Sequence, residues 1–543
     1  MFYSNKPWLK HYHSKINEFS SIENISLDEM FQNAVERFSN DTAIRFYHKT
    51  WTYKELSSVV DRFAASLYQI GVKKGDRLSI MLPNLPHYLF SLFSIFRLGG
   101  IAVQVNPMYV EREIEHVLND SQSEYIVVYE NLYQRVKQVQ DKTLLKHIVV
   151  VGFGEQSTEL AEGDYYFDSL LKTNAPAVPQ INIDPNEEVA LLQYTGGTTG
   201  ISKGVMLTHK NIMSNMEQIN DFMFKAVDVP HNPKIMSILP MFHIYGLTCN
   251  VFLGIHTGCN LIILPRFDVQ EVMETVKRHQ PFQFSAVPTM FIALNSQPNL
   301  EVYGFDKVPL YSSGGAPMPI EQLQLFEKRT GCNLCEGYGL SEASPSTHIN
   351  PPFLERKAGS IGIPVPSVEV KIVQETEQGY EEVPVGEIGE LVIKGPQIMK
   401  GYMNRPEDTE ETIKDGWLHT GDIGRMDEDG YFYIVDRKKD MIIASGYNVY
   451  PREIEEVLYK HEAVQEVIVV GVPDPYRGET VKAFIKLIDG AIVTEEEMIL
   501  FSKQYLAPYK VPKFIEIRDE LPKTSVGKLL RRSLRDESAA VSK

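Results

Sequence analysis

The sequence predicts an α/β protein built on parallel sheets, and three observations carry that reading. Helical and extended patterns alternate from the start of the chain, the order that βα units impose. After about residue 355 the helices thin out, and strands follow one another across Gly, Pro and Asp turns. From Pro451 onward helix and strand alternate again. A chain of 543 residues has length for roughly three or four compact units.

The elements follow in order. Thr52 and Glu55 make a capping box ahead of Leu56, Val59, Val60, Phe63, Leu67 and Ile70, apolar positions at helical spacing, and Gly71 is placed to end that helix. RLSIML at 77–82 reads as a strand, HYLFSLFSIFRL at 87–98 as a buried helix and IAVQV at 101–105 as the next strand. EREIEHVLND at 111–120 and YIVVY at 125–129 repeat the order. So do DVQEVMETVKRHQ at 268–280 with FQFSAV, and IEQLQLFEKR at 320–329 with CNLCEGY. Right-handed crossovers between such units give parallel sheets with helices on their faces. VEVKIVQ, GELVIKG and GYFYIVDR then form a smaller β-rich unit over about 355–436. PREIEEVLYKH opens the last unit, with VIVVGV, VKAFIKLI and KFIEIRD as its strands. The polar stretch DRKKD at 436–440 separates the two textures and marks a boundary or hinge, although charge runs are ordinarily solvated surface.

Composition narrows the function classes. Apolar residues make up 43% and charged residues 23%, ordinary globular usage. Lys plus Arg is 54 against 71 Asp plus Glu, a net charge of −17, and no long basic tract offsets it. A nucleic-acid partner is therefore not expected, whereas a small phosphorylated ligand needs only a few local donors. Four cysteines exclude a disulfide scaffold. Cys332 and Cys335 form a CxxC, but no second pair completes a zinc site, and they read as ordinary thiols flanking a buried strand. The first twenty residues hold no apolar run of the signal-peptide kind. The apolar stretches 88–103 and 247–265 are interrupted by Arg97, Gly99 and Gly100, and by Asn250, Gly254, His256, Gly258 and Asn260. The expectation is a soluble cytoplasmic protein with at most peripheral membrane contact. The question of a homodimer stays open.

Five segments carry candidate chemistry. YTGGTTGISKGVMLTH at 194–209 follows the apolar strand VALLQ. Gly196, Gly197, Gly200 and Gly204 allow close backbone approach, Thr195, Thr198 and Thr199 add hydroxyls, and Lys203 adds a cation, a set suited to a polyphosphate. The spacing is not that of a Walker A loop, because only two residues separate Gly200 from Lys203. YSSGGAP at 311–317 runs a strand into a Gly-Gly turn, which alone is an ordinary βα loop. EGYGLSE at 336–342 offers Tyr338 as a flat face for a base, Ser341 as a hydroxyl and Glu342 as a hard oxygen ligand. GWLHTGDIG at 416–424 places Asp422 in a glycine turn, where its carboxylate suits a ribose and where an Asp commonly just caps its own turn. PKTSVGKLLRR at 522–532 holds Lys528, which taken singly is a solvated cation.

Taken jointly, these segments resemble the adenylate-forming superfamily, which includes acyl-CoA synthetases, the adenylation domains of nonribosomal peptide synthetases and firefly luciferase. The Thr/Gly loop, the YG[LM][ST]E motif, the GWLHTGD, DRKKDMI and PREIE block, and the final PKTSVGK match in order and spacing, from about Leu27 to Arg532. The strings YTGGTTG, EGYGLSEASP and IASGYNVYPREIE are most similar to fatty acyl-CoA synthetases. The resemblance implies a large N-terminal domain over 1–436, joined by a hinge near Lys439 to a small mobile α+β domain over 437–543. It implies that Thr195, Gly196, Gly197, Thr198, Thr199, Gly200 and Lys203 hold the β- and γ-phosphates of ATP. Gly315, Ala316 and Pro317 would line the adenine pocket, with Tyr338 on the base among Glu336, Gly337 and Gly339. Ser341 would touch the α-phosphate, Glu342 with Thr198 would hold Mg²⁺, and Asp422 with Arg437 would bind the ribose. Lys528 would bridge the substrate carboxylate and the α-phosphate. Lys439 matches the hinge position, and Gly446 lies where the pantetheine arm of coenzyme A would pass. Gly196, Ser202 and Ser341 depart from the commoner Ser, Pro and Thr, and a hydroxyl survives at the last position.

The implied reaction is ATP-dependent activation of a carboxylic acid to acyl-AMP and pyrophosphate, then transfer to coenzyme A. His243, in PMFHIYGL, stands where amino-acid-activating domains tend to carry an aspartate, which argues against an amino-acid substrate and for a medium- or long-chain fatty acid. An aryl-acid CoA ligase is the nearest competitor. A luciferase-like monooxygenase and a non-catalytic nucleotide-binding relative are the others, and retention of Lys203, Glu342, Asp422 and Lys528 speaks against the last.

Overall fold

The computed structural model describes residues 2–152, 158–173, 175–195, 202–352, 354–444, 447–474, 477–524 and 527–541, with the backbone alone for 539–541. Two large sheets dominate the N-terminal part. One has the strand order Gly401–Tyr402, Lys203–Thr208, Val189–Thr195, Ile101–Gln104, Arg77–Met81, Tyr125–Tyr129, His147–Val151, Tyr165–Tyr166. Its strands from Val189–Thr195 to Tyr165–Tyr166 pair in parallel, as the βα repeats require. The other runs Ile363–Pro364, Ser346–Ile349, Leu334–Gly339, Leu310–Ser313, Gln283–Ala286, Lys234–Ser237, Asn260–Ile263, Thr42–Phe46, Lys49–Thr52. Its centre is parallel too.

Helices cover these sheets along the faces the sequence marks apolar. Thr52 caps the helix Tyr53–Gln69 through the expected box with Glu55. That helix packs on Pro86–Arg97, whose side chains are almost all buried. Phe31 of the helix Leu27–Phe38 stacks on Phe93 at 4.3 Å between ring centroids, tying a third helix to the pair. The apolar stretch 247–265 divides into the short helical segments Leu247–Phe252 and Leu253–His256 and the strand Asn260–Ile263. Among the described residues no helix is long and apolar enough to cross a membrane.

The β-rich unit is a six-stranded sheet in which Trp417–Met426 pairs with both Gly389–Lys394 and Phe432–Arg437. The start of the chain closes onto it: Trp8 meets Phe432 edge-on at 5.8 Å, and the Tyr3 hydroxyl donates to the Val383 carbonyl at 3.2 Å. Beyond it lies a five-stranded sheet of Tyr447–Val449, Ile442–Ala444, Gly478–Leu487, Val464–Asp474 and Phe514–Ile517. The helix Pro451–Tyr459 packs on this sheet through Ile454 and Leu458, and with Val469, Ala483 and Met498 they make a separate small core. The α/β fold with parallel sheets and a smaller C-terminal unit is the one expected.

Two local readings change. Lys203 is not a loop residue: it opens the strand Lys203–Thr208, which returns antiparallel and pairs Lys203 with Thr195. Asp422 does not sit in a turn. The strand Trp417–Met426 runs through its glycines, with Gly421 taking φ +69° inside the ladder, and the register pairs Asp422 with Arg437. A glycine can take that angle without a Cβ clash, so the strand continues where the sequence suggested a turn.

Candidate active site

Leu310–Ser313 and Leu334–Gly339 are neighbouring parallel strands, and clefts in such sheets open where strands end at their carboxyl edge. Past Ser313 the chain turns at Gly314 and Gly315. Gly315 has φ +85°, an angle that strains any residue with a Cβ, and a Cβ there would stand 3.0 Å from Lys528 Cε. A cavity of about 750 Å³, counted to its open mouth, begins at this turn. Ile219, Met223, Ile244, Cys249, Leu340 and Ile349 give it apolar walls, and His243, Tyr338, Ser341 and Lys528 give it polar ones.

Lys528 reaches the cavity from the C-terminal unit. Its loop is tied down by Thr289, whose hydroxyl donates to the Gly527 carbonyl at 2.9 Å, and is closed on itself by Thr524 and Lys528. Burial pushes the Lys528 ammonium down to about 8, nearby Arg437 adds to this, and Asp422 opposes it. The His243 imidazole is pushed down to about 3, by burial first and by Lys528 second, so it is neutral near pH 7. Its Nδ1 accepts from the Tyr245 amide at 3.2 Å.

Asp422 is buried and shared. Tyr338 donates its hydroxyl to one carboxylate oxygen, and Arg437 Nε lies 3.3 Å from the other. Burial raises the Asp422 carboxyl above its usual range while Arg437 pulls it down. Glu336, also buried, accepts the amides of Met318 at 3.3 Å and Gly359 at 3.1 Å, and burial lifts it to about 7. It thereby fixes the segment following Gly315.

A second cluster forms at the edge of the eight-stranded sheet. The Tyr402 hydroxyl donates to Glu342 Oε1 at 2.8 Å, while Lys203 Nζ sits 5.1 Å over the Tyr402 ring and 2.7 Å from Asp408. The short strand Gly401–Tyr402 places this tyrosine by pairing with Val205 and Met206. Sequence reading missed Tyr402, because no spacing rule connects it to a carboxylate sixty residues earlier.

The structure thus gathers Gly315, Gly337, Tyr338, Gly339, Ser341, His243 and Lys528 around one cavity. Tyr338 links them to Asp422 and Arg437, and Tyr402 links Lys203 to Glu342. Thr195 ends the strand opposite Lys203. Ala316 and Pro317 lie outside the cavity lining, and Pro317 is exposed. Lys439 lies two residues beyond Arg437, in the turn that leaves the strand. Gly196, Gly197, Thr198, Thr199, Gly200 and Gly446 lie outside the described residues. Lys528 at an apolar cavity, with Arg437 beside the buried Asp422 carboxylate, supplies local cations of the kind that suit a reaction between two anions.

Family comparison agrees with this geometry. The description AMP-binding enzyme matches residues 31–403, and AMP-binding enzyme C-terminal domain matches residues 453–528. The chain belongs to the AMP-binding enzyme family. It is 44% identical over 556 residues to the long-chain-fatty-acid–CoA ligase of Bacillus subtilis (strain 168), covering 98% of each chain. It is 42% identical over 560 residues to the protein of the same name from Escherichia coli O6:H1, again covering 98% of each. The crystal structure of ATP-bound MatB from Rhodopseudomonas palustris matches with a TM-score of 0.86 at 27% identity, over 96% of this chain and 100% of that one. In this AMP-binding enzyme the two matched stretches carry different parts of the site. Lys203, Tyr338, Glu342 and Tyr402 lie in the first, and Lys528 is the last residue of the second. Asp422 and Arg437 fall between them.

Proposed function

We propose that this AMP-binding enzyme joins a medium- or long-chain fatty acid to coenzyme A by way of an acyl adenylate. The observation that carries the reading is Lys528, a lysine brought from the C-terminal unit into a cavity with apolar walls. The names of the full-length relatives support the fatty acid as substrate.

In the first step a carboxylate oxygen attacks the α-phosphorus of ATP. The bond from that phosphorus to the bridging oxygen breaks, and pyrophosphate leaves. In the second, the thiol of coenzyme A gives up its proton, the sulfur attacks the acyl carbon, and AMP leaves with the carboxylate oxygen it received. A bare carboxylate is a poor electrophile, and the adenylate gives it a leaving group. Lys528 bridges the carboxylate and the α-phosphate, offsetting the repulsion between two anions. Thr195, the loop Gly196–Gly200 and Lys203 hold the outer phosphates. Gly315, Ala316 and Pro317 border the adenine, Tyr338 stacks on it, Ser341 meets the α-phosphate, and Asp422 with Arg437 takes the ribose hydroxyls. His243, neutral, faces the acyl group without adding a charge.

The residues present fit a magnesium ion. Glu342 offers hard carboxylate oxygens, one of them hydrogen-bonded by Tyr402, and among the described residues it has no ion-pair partner. Glu342 and Thr198 would hold the ion, which when bound offsets the triphosphate charge. We read residues 1–436 as the adenylation domain and 437–543 as a domain that turns about Lys439 between the steps.

The test is acid-dependent pyrophosphate release over a panel of long-chain, medium-chain, aryl and amino acids, with and without coenzyme A. The expected result is release with the fatty acids, limited to about one equivalent without coenzyme A and continuous with it. Release with aryl acids alone, or with no acid, contradicts the proposal.

A further inference from the structure

The hinge region holds a carboxylate that the reaction does not use. Asp436 is the penultimate residue of the strand Phe432–Arg437 of the six-stranded sheet, and only 4% of its surface is exposed. A buried charge there needs partners: its own strand supplies the Arg437 amide, which donates to Oδ1 at 2.7 Å, and the other partners come from the C-terminal unit. Oδ2 accepts the amide of Arg452 at 2.9 Å, in the first turn of the helix Pro451–Tyr459, where amides lack partners within the helix. Oδ1 lies 3.3 Å from Arg531 Nη1. Arg452 adds a second tie, donating from Nη1 to the Ile434 carbonyl of the same strand at 2.6 Å.

Arg531 opens the helix Arg531–Val541, three residues after Lys528. Its other bonds run to Glu455 at 2.8 Å and to Asp440 at 3.3 Å. The partners divide at Lys439. Glu455, Asp440, Arg531 and Arg452 lie beyond it and turn with the C-terminal unit, whereas Asp436 and Ile434 lie before it and stay with the sheet. Asp436 is therefore the point at which one buried charge holds two helices of the moving unit, Pro451–Tyr459 and Arg531–Val541, against the fixed one.

We propose that Asp436, through Arg452 and Arg531, is the latch that sets Lys528 in the cavity for adenylation and is released for the thioester step. The proposal rests on the two-step reading above. Asp436 is a positioning residue: it touches no substrate and acts through the placement of Lys528. Loss of its charge lowers the population of the adenylation pose, by about tenfold for a charge-assisted buried hydrogen bond.

The test is Asp436→Asn, which keeps the shape and removes the charge, with Arg531→Gln as a second variant. Acid-dependent pyrophosphate release should fall about tenfold in each, while conversion of a chemically made acyl adenylate plus coenzyme A stays level or rises. The double variant should fall no further than either single one. A general loss of packing would lower both half-reactions together, and that result, or no change in either, overturns the latch. Hydrogen exchange in the substrate-free protein provides a reading that does not depend on the reaction. In Asp436→Asn, the amides of 452–454 and those of Thr524, Gly527 and Lys528 should exchange faster, with the six-stranded sheet unchanged. Unaltered exchange there also overturns the latch. Failure of the wild-type protein to pass a made adenylate to coenzyme A would instead overturn the two-step reading, leaving the exchange result to decide the latch as a contact.

Discussion

Asp422 and Lys528 stand on either side of Tyr338 and the cavity but are held in opposite ways. Asp422 sits inside the ten-residue strand Trp417–Met426, paired by register with Arg437 and bonded by Tyr338. Moving it would mean breaking a sheet. Lys528 rides on a loop held by Thr289, by its own Thr524 and, through the neighbouring helix, by Asp436. Moving it costs only a few hydrogen bonds. Groups that contact a ligand throughout a reaction gain from rigid support, while a group needed for one step can arrive and leave with its domain. On this account the nucleotide is held by strands and the chemistry is timed by a loop.

Lys528→Ala tests this contrast with the largest effect. Adenylation should fall ~10²–10³-fold, the loss typical of one charge-stabilising donor. Binding of ATP and thioester formation from a made adenylate should persist. Equal loss in both half-reactions would place Lys528 among the fixed groups and break the comparison. Glu342→Gln, on the rigid side, should cost about 100-fold, with the apparent magnesium requirement raised, since an amide is a weaker ligand for the ion. Its measure is pyrophosphate release across a magnesium titration, and near-normal turnover at limiting magnesium counts against the role.

The pH dependence sharpens the same contrast. Lys528 is held at about 8, below its ordinary 10.5, and under the proposed mechanism it works in its charged form. It is charged below that value and loses its proton as pH rises through it. The kcat/KM of adenylation, which reports the free enzyme, should therefore fall about tenfold between pH 8 and pH 9.5. Lys528→Arg should flatten that limb, and thioester formation should not show it. Tyr402→Phe is the smallest expected change. It removes one hydrogen bond to Glu342, so magnesium affinity should weaken by about tenfold or less, with the maximal rate little altered.

The fold was legible because its signals are local. The Thr52–Glu55 cap, the strand IAVQV and the helix Val269–His279 follow from capping chemistry and apolar period alone. The candidate residues were legible as motif members, and their environment was not. Asp422 looked like a turn residue because glycines flank it, yet sheet pairing with Phe432–Arg437 carries the strand through. DRKKD read as a boundary or hinge, with solvated charge the ordinary alternative, and Asp436 is buried there because the helices Pro451–Tyr459 and Arg531–Val541 supply partners. Tyr402 became visible only once two strands paired. Each miss concerns a contact between separate elements, which spacing rules within one element cannot encode.

The most direct test of the account follows the carboxylate oxygen. A long-chain fatty acid labelled with ¹⁸O in both carboxylate oxygens is turned over with ATP and coenzyme A, and the products are weighed by mass spectrometry. Attack of the carboxylate on the α-phosphorus, followed by expulsion of AMP by the thiol, predicts one labelled oxygen in each AMP, none in pyrophosphate and one in the thioester. Unlabelled AMP, or label in pyrophosphate, would contradict the account.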